Sequence, residues 1–458
     1  MAGAQPAWAH ANLESTEPEY GAVLATAPDR AVVRYDLPVE VGGAQVTLEH
    51  DGGRVRLGRP TYASPDHKAV ALPLPKLLAG NYVLTWFLFG SDGDVMGAEL
   101  VFTVGGATVP AAAGGQTPTR SRRVNGNGAL TPLGRAQDTA RLVGFGSLSV
   151  LVGGAIFVAL LWPPGAGLRR TSTLLWGALA VALLSNAAAL GLKGAAVSGQ
   201  PAMGLFSPSS WAAVAGTHVG RVLTARLGFL VLIAPFLAYL SVAPHRALGS
   251  DHWWLGSGTS ALGAVTTHGM LSHASSRGWL ASATDIVHVG AVAVWLGGLV
   301  MLAVVVLPRR RWSELSLVVP RWSRLAFRSM TTAVLAGALL LLLISPRWTA
   351  LPTSSYGRFL VLKLALVVGL LSVASRARDF VARQLPTLGP GDEADSDQAG
   401  FAGTAVPSPP GAPAQVLAAP TKGDAALWPF VNAVTAELCI AASILAAAAA
   451  LVGRAPPT

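Results

Sequence analysis

The chain has 458 residues, with 33 Lys and Arg against 23 Asp and Glu, and only 12% of it is charged. Soluble domains average about 25% charge, whereas 52% of this chain is hydrophobic, which excludes a disordered protein and does not fit a single soluble domain. The net charge of +10 therefore points to basic loops flanking membrane segments rather than to a nucleic-acid surface, and the single cysteine, Cys439, excludes an intrachain disulfide or a Cys-pair metal site.

Ala7-Trp8-Ala9 has the look of a signal-peptidase site, so residues 1–9 read as a remnant of a cleavage region and His10 as the mature N-terminus. Its α-amine and imidazole would then chelate one metal together. Residues 10–104 alternate with period two at 31–37, 44–50, 69–74, 81–89 and 98–104. Turn signals such as Ser91-Asp92-Gly93-Asp94 separate these runs, which predicts a small antiparallel β-sandwich, Ig-like, or a barrel of the same size. Residues 105–140, rich in Gly, Pro, Thr, Asn and Arg, read as a flexible linker.

A bilayer core needs about 20 helical residues, and eight stretches qualify: 141–162, 171–191, 222–241, 253–274, 280–307, 328–345, 358–375 and 430–452. The prediction is a β-sandwich followed by a polytopic bundle of eight transmembrane helices. Residues 193–210 read as a surface or re-entrant loop and 385–427 as a disordered cytoplasmic loop, leaving helix eight and a short tail at 428–458. Arg169, Arg170, Arg246, Arg309–Arg311, Arg321, Arg324, Arg376, Arg378 and Arg383 gather on one side. That bias makes this a multi-pass protein of the cell membrane with the N-terminal domain outside the cytoplasm.

Ionisable residues inside such helices are costly, hence functional candidates. His268, Met270 and His273 sit in the fourth stretch, and Asp285 and His288 in the fifth. By rise alone, His268 lies about 8 Å deeper than His273. Asp285 and His288, at i and i+3, share a helix face, so the carboxylate is placed to accept the second imidazole N–H and fix its tautomer. Met270 adds a soft sulfur suited to Cu(I). Glu437 is buried by position, as a pathway or ion-pairing group. In the outer domain His10, Asp92 and Asp94 offer nitrogen and oxygen ligands suited to Cu(II), while His50 and His67 read as surface residues.

These residues resemble two families. His10-Ala11-Asn12-Leu13, Glu17-Pro18-Glu19-Tyr20-Gly21-Ala22, Tyr82-Val83-Leu84-Thr85-Trp86 and Gly97-Ala98-Glu99-Leu100-Val101-Phe102 look like the periplasmic copper-resistance protein C family. Asp285-Ile286-Val287-His288, Val294-Trp295-Leu296-Gly297-Gly298-Leu299, Thr353-Ser354-Ser355-Tyr356-Gly357-Arg358, Leu362-Lys363-Leu364-Ala365-Leu366 and Ala436-Glu437-Leu438 are similar to the copper-resistance protein D family. The resemblance implies a copper-binding sandwich fused to a copper-handling membrane domain. It implies Cu(II) held by His10 and Asp92 outside, copper in either oxidation state within the bundle, and a role in copper resistance or uptake, with import the expected direction. An extracytoplasmic copper chaperone is the expected protein partner, beside copper ions and the lipid bilayer, and no nucleic acid. The family's Asp-Gly-His element reads Asp92-Gly93-Asp94 here, so a carboxylate replaces the second imidazole.

The residues also leave open a haem-binding membrane electron-transfer protein, with His on adjacent helices ligating iron, and a non-transporting copper-related assembly module. No nucleophile–base constellation or open zinc motif suggests an enzyme. No phosphate-binding loop suggests ATP-driven pumping.

Overall fold

The computed structural model describes residues 11, 13–50, 53–90, 93, 95–105, 131–272, 274, 278–344, 355–383 and 422–452. Nine strands come first: β1 (Leu13–Glu17), β2 (Ala22–Leu24), β3 (Arg30–Tyr35), β4 (Val39–His50), β5 (Gly53–Arg56), β6 (Thr61–Tyr62), β7 (Ala69–Pro73), β8 (Gly80–Gly90) and β9 (Val95–Val104). They form a four-stranded sheet in the order β1-β3-β7-β6 and a five-stranded sheet in the order β2-β9-β8-β4-β5. Pairing is antiparallel except for the short β2–β9 ladder, which is parallel, a departure from the purely antiparallel expectation. Period two explains the core: Tyr82, Leu84, Trp86 and Leu88 of β8 all point inward. The Trp86 indole N–H donates to the Tyr35 hydroxyl at 2.8 Å across the sandwich, so the largest core side chain leaves no unpaired donor.

The helices are α1 (Pro132–Ile156), α2 (Arg169–Val197), α3 (Pro208–Ala215), α4 (His218–Val242), α5 (Pro244–Leu248), α6 (Asp251–Gly269), α7 (Trp279–Met301), α8 (Trp312–Ile344), α9 (Ser355–Arg383) and α10 (Lys422–Val452). Single π-helical turns, Phe157–Leu161 and Leu302–Val306, extend α1 and α7. Among the described residues, seven helices are long and apolar enough to cross a membrane. The fourth predicted span is not one of the seven. It forms α6, which stops at Gly269, and its Gly, Ser, Thr and His residues dilute its hydropathy. Those glycines serve packing: Phe236 and Phe229 of α4 occupy the space where Gly256 and Gly263 would carry a Cβ.

Boundaries differ from the sequence reading at several points, among them α8, which begins at Trp312 rather than near 328. The first helix begins at Pro132, inside the stretch read as linker, with Thr131 accepting the Gly134 N–H as N-cap. The stretch 193–210, read as a loop, holds the buried end of α2, a 3₁₀ turn (Ala202–Phe206) and the start of α3. The eighth helix begins at Lys422, inside the stretch read as disordered, while 106–130 and 384–421 lie outside the described residues.

Two backbone contacts organise the bundle. Helices α1 and α7 meet without intervening side chains, because a Cβ on Gly153 would lie 2.3 Å from the Ala293 carbonyl and one on Gly297 2.1 Å from the Ser149 carbonyl. Small residues at this spacing let membrane helices pack backbone to backbone. The second contact joins the sandwich to the bundle. Gly43, in the β4 bulge with φ +76°, lies so near α3 that a Cβ would fall 2.4 Å from the Ala213 carbonyl. Beside it, the Glu40 carboxylate accepts the His218 N–H at 2.7 and 3.0 Å, an anion at the start of α4 where the helix dipole favours one. Phe89 and Val95 of the sandwich bury themselves among Leu133, Leu190, Val214 and Val219 of the helices. Fully burying one such side chain contributes roughly 1.5–3 kcal/mol.

Gly43→Val is therefore expected to undock the sandwich, since it adds both a clash and a strained backbone. Hydrogen exchange should rise at β4 residues 39–45 and at 213–219, while β7 amides, inside the sandwich, keep their protection.

Candidate functional site

The β8–β9 hairpin tip makes a further contact between the two bodies. Gly93 (φ +80°) closes the tip, donating its N–H to the Gly90 carbonyl at 2.9 Å. A Cβ there would lie 3.0 Å from Val219 of α4 and 3.5 Å from Leu271, in the segment leaving α6. The tip that carries Asp92 and Asp94 in sequence thus rests beside the segment that leads to His273. Asp92, Asp94, His10 and His273 themselves lie outside the described residues. Ala11, next to His10, packs into the sandwich core. Met270 caps α6 with its side chain 41% exposed.

His268 sits in the last turn of α6, edge-on to Phe145 of α1 with ring centroids 5.7 Å apart. Its Nε2 is buried with no hydrogen-bond partner. Arg226 of α4, close enough for its charge to act on His268, is a buried guanidinium held by neutral groups. Nε donates to Thr267 Oγ1 at 2.9 Å, one terminal nitrogen to the Thr267 carbonyl at 2.8 Å, and the other to Asn186 Oδ1 at 3.1 Å. Asn186 is oriented in turn by its own donation to the Ala182 carbonyl at 2.7 Å. Three of the five guanidinium donors are thereby satisfied without a carboxylate in these bonds.

His288 faces another way. Its Nδ1 hydrogen-bonds the Ala333 carbonyl of α8 at 2.7 Å. One turn on, Gly337 leaves room for the ring: a Cβ there would lie 3.1 Å from the imidazole Cε1. The expected tautomer-fixing partner was Asp285, yet the bond goes to Ala333, because α8 packs its backbone directly against the ring. With a carbonyl accepting at Nδ1, the neutral imidazole presents a lone pair at Nε2. Lys363 of α9 lies close enough to Asp285 and His288 for their charges to interact. The contacts of His268 are thus with α1 and those of His288 with α8, although α6 and α7 pack together where Ile286 covers Gly269. Among the described residues no group of three or more His, Cys, Asp or Glu is arranged to hold a metal ion.

Glu437 of α10 is 7% exposed and lines a cavity of about 380 Å³ bounded by α7, α8, α9 and α10. Sequence reasoning passed over Arg226, Lys363 and Glu40. The first two satisfy the same criterion that found His288, an ionisable group inside an apolar stretch.

Three family models match the chain: CopC domain at residues 13–105, Copper resistance protein D-like, N-terminal domain at 134–283, and Copper resistance protein D at 316–406. The chain is a CopC–CopD fusion. The first model covers the sandwich, the second α1 to the start of α7, and the third α8 and α9. No curated relative matched the chain. Among solved structures, CopC from Methylosinus trichosporium OB3b is similar at 20% identity over 22% of this chain and 100% of that one, TM-score 0.20. PcoC, a methionine-rich copper resistance protein from Escherichia coli, is similar at 24% identity over 21% and 98%, TM-score 0.18. The domains of the fusion are those of copper resistance and copper binding, on a chain with the helices of a multi-pass membrane protein.

Asn186→Leu keeps the side-chain size but removes an acceptor from the buried Arg226. It is expected to cost about 1–3 kcal/mol, lowering the thermal unfolding midpoint of the detergent-solubilised chain. Thr139→Ala, which alters only an exposed hydroxyl, should leave that midpoint in place.

Proposed function

We propose that the fusion imports copper across the cell membrane, with the sandwich outside the cytoplasm as a docked receptor. The observation that carries this reading is the seat of the β8–β9 tip on Val219 and Leu271. Gly93, between Asp92 and Asp94 in sequence, lies against Leu271, two residues before His273, and in this reading copper passes between these segments without the sandwich having to leave. In this reading α6 is the eighth span, crossing with the other seven, and the basic loops of the opposite end face the cytoplasm. His10, Asp92 and Asp94 capture Cu(II) delivered free or by an extracytoplasmic copper chaperone. Carboxylates and one imidazole suit Cu(II) less well than two imidazoles would, which favours a site that releases its metal.

From there Met270 and His273 receive the ion, and His288 with Asp285 takes it onward. Nε2 of His288 is the ligating atom, because Nδ1 is committed to Ala333. Arg226 disfavours a resident cation at the neighbouring His268 by like-charge repulsion, so His268 stands at the edge of the route as a transient contact. Lys363 screens Asp285 when the ion has gone.

His288→Asn tests this without disturbing the packing, since the Asn amide mimics the Nδ1 donor to Ala333 while removing Nε2. Radioactive copper uptake by cells should fall about tenfold or more, the usual scale for losing a group that holds a metal. His273→Ala should reduce uptake as well. Unchanged uptake in both variants would overturn the route, and stoichiometric iron in the purified chain would replace it with a haem protein.

A further inference from the structure

None of the residues of the copper route lines the cavity beside Glu437, and its chemistry is different. Its wall is aromatic: Trp295 of α7, Trp322 of α8 and Phe430 of α10 face it. Phe327, Leu335 and Leu371 also line it, and they are 51%, 65% and 41% exposed on helices apolar enough to span the membrane. Its rim is therefore lipid-facing surface, and an occupant enters from the hydrocarbon phase. At about 380 Å³ it falls within the range of roughly 300–1,000 Å³ seen for small-molecule sites.

One polar group in the cavity lacks a counterpart. Glu437 is nine-tenths buried, and no hydrogen bond or ion pair reaches its carboxylate among the described residues, although a buried carboxyl without a partner is costly. The cation that shares the cavity, Arg378 of α9, is seated instead over the Phe327 ring, 4.1 Å from its centroid. That seat shows what the aromatic wall accepts: a delocalised cation over a ring face. The site thus combines lipid-side access, aromatic faces and an unsatisfied carboxylate.

We propose that this cavity binds a lipophilic organic cation, with Glu437 as its counter-ion and Trp295 and Trp322 as its aromatic wall. A hydrated metal ion is a poor fit, because the walls offer it few oxygen or nitrogen ligands. A neutral lipid tail would fill the volume but leave the carboxylate unpaired. The proposal does not depend on copper passage, and its test uses no copper.

The test is equilibrium binding of radiolabelled tetraphenylphosphonium to the full-length chain in lipid nanodiscs. Triphenylphosphine oxide serves as a neutral probe of similar shape. The wild-type chain should bind the cation saturably. Glu437→Gln, which keeps shape and removes charge, should weaken it about tenfold or more, as expected for losing a charged partner, while binding of the neutral probe stays unchanged. Ala374→Trp, which fills the cavity and keeps Glu437, should abolish saturable binding. Equal cation affinity in wild type and Glu437→Gln would overturn the proposal, as would purely non-saturable partition into lipid. Saturable cation binding that persists in Ala374→Trp would overturn it too.

Discussion

Strand β4 belongs to two bodies at once, and the rest of the molecule depends on that contact. Its bulge brings Gly43 against the α3 backbone, and its Glu40 accepts a hydrogen bond from the first turn of α4. A tethered sandwich would sample many positions; this one has its orientation set by a carboxylate, a glycine and the buried ring of Phe89. The same contact determines which loop of the sandwich meets which loop of the bundle. Without it, the tip around Gly93 has no fixed relation to the end of α6.

Below that contact the bundle solves one problem in three ways. Each ionisable group taken from water needs a substitute for hydration. Arg226 is given three neutral acceptors from α2 and α6. His288 is given a helix carbonyl on one nitrogen, which leaves the lone pair of the neutral ring on the other. Glu437 is given a cavity. The first arrangement engages three of five donors and is structural in character. The second engages one of two ring nitrogens, and the third is open. The progression follows chemistry, since a guanidinium spreads its charge over five donors whereas a carboxylate offers only acceptors.

The sequence exposes some of this and hides the rest for physical reasons. Strand β8 is legible because Leu84, Trp86 and Leu88 alternate with partly exposed residues over many positions. Strands β2 and β6, of three and two residues, are too short to show a period. The start of α8 at Trp312 is hidden because its first turns carry Glu314, Pro320, Arg321 and Arg324, which depress hydropathy without breaking the helix. The candidate metal ligands of the helices are legible from cost alone, since a histidine in an apolar run stands out. Their partners are not: Ala333 and Gly337 serve His288 through a carbonyl and an absent side chain, and neither leaves a trace in residue type. Glu40 and His218 stand 178 residues apart, and no local pattern links positions so distant.

The glycine contact between α1 and α7 bears on how such a protein moves. Two helices whose backbones touch at Gly153 and Gly297 have no side-chain layer to rearrange, so they cannot slide or roll past each other without separating. On its other side α7 meets α8 just as closely: Trp322 fills the space where Gly298 would carry a Cβ, and the Ala333 carbonyl accepts from His288. A helix wedged between two such partners holds the His288 ring at a fixed place relative to α1, whatever the rest of the bundle does.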